Sequence, residues 1–119
     1  MGAHAAVRDR FVCDLDVELD TGRTRVYGRG LDLTAGALCC RADASIDPGT
    51  TVAIQLRLVL EWGSSETLGV SGHVLWSTET EGAWQLGVQL TENSQEVRQR
   101  LGVLLRVLTG ALTLPAPNR

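Results

Sequence analysis

Between Phe11 and Asp20 the chain alternates one for one. Phe11, Cys13, Leu15, Val17 and Leu19 fall on one side, and Val12, Asp14, Asp16, Glu18 and Asp20 on the other. A period of two belongs to a strand with one face in a core and one in water. It excludes a helix, whose apolar positions recur at three and four. The pattern returns at Thr51–Leu60, with Val52, Ile54, Leu56, Leu58 and Leu60 on one face. Strands of this kind carry an apolar face that must be covered, by a second layer or by closure of the sheet on itself.

The remaining segments follow the same grammar. Thr21-Gly22 is a turn signal, after which Arg23–Leu33 reads as a returning antiparallel strand and Ala37–Arg41 as a third. Asp47-Pro48-Gly49 combines a preset φ with a residue that tolerates positive φ, and so marks a turn before Thr51–Leu60. Trp62-Gly63-Ser64-Ser65 reads as a loop. Thr67–Thr78 is a long strand in which Gly69 and Gly72 mark the expected bulge, and Ala83–Leu90 closes the β portion. The period then lengthens: Val97, Leu101, Leu104, Leu105 and Leu108 have helical spacing, opened by Asn93 with Glu96 three residues on. Six strands and one helix predict a mainly all-β fold, a six-stranded antiparallel barrel with a C-terminal α-helix. Closure removes the exposed edges of such a sheet. We expect an N-terminal arm over residues 1–9, the barrel and helix over 10–110 and a loose tail over 111–119.

The chain's 119 residues suit one domain, and 44% hydrophobic content supplies a core without disulfides or metal. All 11 basic residues are Arg, scattered over a chain of net charge −3, so no basic stripe exists for a nucleic-acid polymer. Arg does suit bidentate contacts to phosphate or guanine. Cys13, Cys39 and Cys40 are odd in number, and neighbours on a strand point to opposite faces, which favours reduced thiols and a cytoplasmic protein. The apolar stretch from Val103 to Leu114 is interrupted by Arg106 and too short to span a bilayer. His4 and His73 lie far apart, and neither G-x-S-x-G nor C-x-x-C occurs. Neither an enzyme nor a metal protein is expected. The remaining lead is Gly30–Leu38, where Asp32, Thr34 and Gly36 make a tight turn at a strand end.

In its surroundings that segment resembles the PilZ family of bacterial cyclic di-GMP receptors. The likeness runs from about Arg8 to Leu108. Asp32-x-Thr34 occupies the place of the family's D/N-x-S-x-x-G turn, Gly72-His73-Val74-Leu75-Trp76 and Gly87-Val88-Gln89-Leu90 fit two later strands, and the helix follows. The resemblance implies a six-stranded barrel with a C-terminal helix. It also implies a cyclic di-GMP site in which Arg8 and Arg10 would grip the ligand, Asp32 and Thr34 would read guanine, and Gly36 would lie in the turn. The family's R-x-x-x-R does not occur at the N-terminus, where Cys13 stands at the second Arg. The turn has Thr34 for Ser and Ala37 for the final Gly. The only such Arg spacing is Arg25 to Arg29. One lost Arg contact lowers affinity about ten- to a hundredfold. The expectation is therefore a regulatory adaptor without tight cyclic di-GMP binding and without another cofactor. It would act on a signalling or motility protein in motility, pilus or cell-polarity systems. A working receptor built on Arg8, Arg10 and the Asp32-x-Thr34 turn is the alternative.

Partner-binding candidates are Trp62, placed in a loop, and the helix residues Leu101, Val103, Leu104, Val107 and Leu108. Apolar residues on more than one side of this helix fit a second copy of the chain, or a helix clasped by its own barrel. Trp76 is expected in the core.

Overall fold

The computed structural model describes residues 11–12, 15–60, 63–64, 67–91 and 94–108. Its elements are β1 (Phe11–Val12), β2 (Leu15–Asp20), β3 (Arg25–Leu33), β4 (Ala37–Ala42), β5 (Thr51–Leu60), β6 (Gly63–Ser64), β7 (Leu68–Thr80), β8 (Ala83–Leu90) and α1 (Gln95–Leu108). The alternating segments became strands because alternation lets each bury one face. Leu15, Val17 and Leu19 of β2 and Val52, Ile54, Leu56 and Leu58 of β5 are all buried. Each such side chain contributes about 1.5–3 kcal/mol relative to exposure.

Six strands close antiparallel in the cyclic order β2, β3, β4, β8, β7, β5 and back to β2, as the sequence predicts. β1 adds to β3 at Phe11–Leu33 and Val12–Asp32. The expected Trp62–Ser65 loop contains β6, which pairs Ser64 with Val59 and Gly63 with Leu60. Trp62 itself lies outside the described residues. At Gly28 a Cβ atom would collide with the Arg41 carbonyl, so glycine is what lets β3 and β4 approach there.

Two bulges shape the barrel. One leaves Leu31 as the extra residue of β3, between Gly30 and Asp32; the other leaves Leu75 as the extra residue of β7, between Val74 and Trp76. The bulge expected at Gly69 or Gly72 is not found, since both glycines pair in regular register with β5. The break comes instead where the β5 side of β7 runs out. Gly49 N–H donates to the Val74 carbonyl at 2.7 Å and Val74 N–H to the Thr50 carbonyl at 2.9 Å. Beyond Val74, β7 pairs with β8 alone and is free to bend.

Helix α1 is capped by Ser94, whose hydroxyl accepts the Val97 N–H at 3.3 Å. Asn93, the expected cap, lies outside the described residues. Leu101 is buried, and Leu104, Leu105, Val107 and Leu108 pack half-buried against the barrel core. Val103 is the exposed apolar residue of the helix, at 37%. No described helix is long and apolar enough to cross a membrane.

Candidate functional site

The bulges decide which side chains reach the outer surface. In β3, Val26 and Gly30 are buried; continued alternation would turn Asp32 inward. The extra Leu31 shifts the phase, so Leu33 enters the core and Asp32 faces out. In β7 the same device acts at Leu75, and Trp76 faces out, 41% exposed. This corrects the expectation that Trp76 is core.

The two re-aimed residues share one row of the barrel wall. Register pairs Asp32 with Cys39, Cys39 with Gly87 and Gly87 with Trp76. A Cβ at Gly87 would collide with the Trp76 indole, so the ring lies across the bare backbone of Gly87. Asp32, Thr34, Ala37, Leu75, Trp76 and Gly87 line an open concavity of about 350 Å³, within the range of small-ligand sites.

The turn beside it is tied down by its own hydroxyl. Thr34 Oγ1 accepts the N–H groups of Gly36 at 3.2 Å and Ala37 at 3.1 Å, while Thr34 N–H donates to the Ala37 carbonyl at 2.9 Å. Any side chain here with a hydroxyl on Cβ can make these bonds, which is why threonine serves where the family pattern has serine. Gly36 is exposed, and its carbonyl accepts the Leu90 N–H at 2.9 Å, joining the turn to the end of β8. On the other side of the turn, Ala35 shares a second concavity with Gln95, Arg98 and Leu101 of α1. The turn therefore stands between the Trp76 surface and the helix.

Of the residues singled out from sequence, Asp32 and Thr34 meet in the concavity, and Gly36 lies in the adjoining turn. Arg8, Arg10 and Trp62 lie outside the described residues. Leu101, Leu104, Val107 and Leu108 pack on the chain's own barrel. Sequence reasoning missed Leu75, Trp76, Cys39 and Gly87 as neighbours of the site, while Ala37 was placed in its turn. A Trp on one strand and a Gly on the next was the available signal, but it is read only with the register in hand. Cys39 and Cys40 fall on opposite faces of β4, with Cys40 in the core.

The family model for the PilZ domain matches residues 5–106. The chain belongs to the PilZ domain family. Among solved structures, the PilZ domain of YcgR from Escherichia coli, determined with c-di-GMP, is similar at a TM-score of 0.66 and 14% identity, covering 86% of this chain and 89% of that one. MotI/DgrA, described as an inhibitor of motility of Bacillus subtilis, gives 0.68 and 15%, covering 85% of this chain and 50% of its own length. The PilZ domain of CeSA from a cellulose-synthesizing bacterium gives 0.57 and 17%, covering 86% and 96%. These likenesses establish a shared PilZ fold. Comparison with curated protein sequences gives no match.

Proposed function

We propose that the protein is a regulatory module that takes cyclic di-GMP into the Asp32–Trp76 concavity and passes its binding state to another protein. The observation that carries this reading is the row Asp32–Cys39–Gly87–Trp76, which sets a carboxylate and an exposed indole over one patch of bare backbone. An indole face stacks a base for about 1–3 kcal/mol. A carboxylate accepts hydrogen bonds from the N–H groups on the Watson–Crick edge of guanine. The nucleotide bound by the YcgR domain supports the choice of ligand. Val12 of β1 pairs with Asp32, and Arg8 and Arg10, which the family resemblance makes ligand contacts, precede it by four and two residues in the sequence. The turn between the concavity and α1 is the route by which occupancy would reach a partner surface. The module carries out no reaction of its own. We place it in the cytoplasm, the compartment that suits its reduced thiols.

A second reading is an adaptor that binds its partner without nucleotide. Ala37 favours it, because its methyl group lines the concavity where the family pattern has glycine. Leu75, 49% exposed, and Trp76 would then anchor a protein. Calorimetric titration with cyclic di-GMP decides between the two. The nucleotide reading expects saturable binding, weakened at least about tenfold by Asp32→Ala, the loss of one charged hydrogen-bond acceptor. Silence at high ligand concentration from a folded protein would leave the adaptor.

A further inference from the structure

Strand β7 outlasts its partner β5. Up to Val74 the side of β7 that faces β5 is bonded, the Val74 N–H donating to the Thr50 carbonyl at 2.9 Å. From Trp76 to Thr80 the strand pairs with β8 alone. Parity fixes what its other side carries. Glu81 and Gly82 both have positive φ, 53° and 80°, the signature of a type I′ turn between Thr80 and Ala83. Residues flanking such a turn exchange both backbone hydrogen bonds, and bonded pairs then recur at every second residue. Trp76, Thr78 and Thr80 therefore spend their backbone groups on Gly87, Gln85 and Ala83. Ser77 and Glu79 turn theirs away from β8. Among the described residues no backbone hydrogen bond reaches either of them from that side. The Ser45 hydroxyl meets the Ser77 hydroxyl at 2.9 Å, on the inner face that Ser77 shares with buried Leu86.

An unpaired strand edge is a template for another strand, and this edge is complementary to itself. An antiparallel two-fold centred on Thr78 sets Ser77 opposite the second copy's Glu79, and Glu79 opposite the second copy's Ser77. Only this centre uses the outward backbone groups of both residues. Centring on Glu79 would set like charges face to face, and centring on Ser77 would set Glu79 against Leu75, the bulge residue. On the outer face the same two-fold sets Trp76 opposite Thr80 and Thr78 opposite Thr78. Aromatic–β-branched and Thr–Thr pairs are among those that stabilise neighbouring strands, and no charge directly opposes its like. We propose that the Trp76–Thr80 edge of β7 is a homodimer interface, in which two copies join by antiparallel strand addition into one sheet running β8–β7–β7–β8. The Thr80 of each copy then lies beside the other's Trp76, at the rim of the Asp32–Trp76 concavity, so the second copy adds a residue to that site. The interface stands whether or not the concavity takes a nucleotide.

The test is sedimentation velocity of the full chain from low to high micromolar concentration, with variants chosen by parity. The parent should shift from monomer toward dimer as concentration rises. Glu79→Pro removes an N–H that points off the edge and none that β8 uses, so it should fold and stay monomeric. Glu79→Gln keeps that N–H and removes the charge, and should dimerise at least as tightly as the parent. Thr78→Lys sets two ammonium groups opposite each other and should be monomeric, with association partly restored by high salt. Thr78→Cys reads the register: at a non-hydrogen-bonded pair the two Cα atoms lie about 4.5 Å apart, within the range a disulfide spans. Oxidised with diamide, it should give a covalent dimer, and Ser77→Cys, with the same native cysteines, should not. A strict monomer at every concentration, without the Thr78→Cys cross-link, would overturn the proposal. So would a dimer that Glu79→Pro leaves intact, since self-association would then lie elsewhere on the chain. Should Glu79→Pro fail to fold, Thr78→Lys replaces it, and unchanged dimerisation of that variant overturns the interface.

Discussion

Two outer faces of the same barrel are built in opposite ways. On the face formed by β2, β3 and β5 the registers run without a break, and outward charges meet opposite charges. Arg25 lies 3.5 Å from Asp20 and 3.7 Å from Glu18, and Arg57 lies 2.9 Å from Asp16. The Arg25 guanidinium is held above its ordinary pKa, first by its hydrogen bond to Tyr27 and then by Glu18 and Asp20. On the face formed by β3, β4, β8 and β7 two registers break, and the outward row holds Asp32, Cys39, Gly87 and an exposed Trp76. Regular alternation matches outward side chains with their neighbours on the sheet. A bulge breaks that matching and turns a carboxylate and an aromatic ring onto the outer surface.

Glycine makes the sharpest test of this contrast, because one close approach meets ladder backbone and another meets a side chain that the bulge turned outward. At Gly28 the obstacle to a Cβ is the Arg41 carbonyl, part of the ladder that closes the barrel. At Gly87 it is the Trp76 indole, a side chain on the outer surface that can swing away. Gly28→Ala should therefore cost about 3 kcal/mol, the upper end of the usual range for overpacking. Gly87→Ala should cost about 1 kcal/mol while disturbing the ring that floors the site. Urea unfolding of both variants measures the difference. Equal costs would mean that the Trp76 ring is as firmly held as backbone, and the idea of an adaptable surface would fail.

Trp76→Leu sharpens the comparison from the other side. Leucine keeps apolar cover over Gly87 but removes the stacking face, so the expected stability loss is about 1 kcal/mol or less. Cyclic di-GMP affinity should fall about five- to a hundredfold. A loss of stability with unchanged affinity would assign Trp76 to packing alone.

The same contrast explains what could be read from the sequence. The bounds of β5 coincide with the alternating segment Thr51–Leu60, because in a regular strand the burial pattern is the sequence pattern, and those of β8 with the expected closing strand Ala83–Leu90. Leu68, Val70, Gly72, Val74 and Trp76 also alternate, and that phase puts Trp76 inside. The extra Leu75 reverses it, and a bulge of one residue leaves no periodic trace in a single strand. Asp32 was found through its turn, Thr34 and Gly36, rather than through its strand. Its facing depended on Leu31 in the same hidden way. The pairing of Gly63 and Ser64 with β5 was missed because two residues are too few to show a period.

The turn beside the site predicts a smaller effect. Thr34→Ala removes the acceptor for two backbone N–H groups at 3.2 and 3.1 Å. The turn is partly exposed, so water replaces some of what is lost, and the expected cost is about 1 kcal/mol. Thr34→Ser keeps the oxygen and should restore nearly all of it. If serine were as damaging as alanine, the methyl group rather than the hydroxyl would be holding the turn. The likeness to the family's serine at this position would then have no shared physical basis.

The smallest effect belongs to the regular face and bears on how much its ion pairs hold. The Arg57–Asp16 pair is short, at 2.9 Å, but its side chains are 49% and 43% exposed. Solvent screens such a pair, and a double-mutant cycle with Arg57→Ala and Asp16→Ala should give a coupling of about 0.5 kcal/mol. In 1 M NaCl, where the screening length is about 3 Å, little of it should survive. That outcome would mean the charge ladder arranges the surface and adds little to closure, which then depends on the core residues beneath it. A coupling above about 1 kcal/mol that resists salt would reverse the comparison. It would make the β2–β5 seam a rigid, electrostatically held wall against which the bulged face moves when its site is filled.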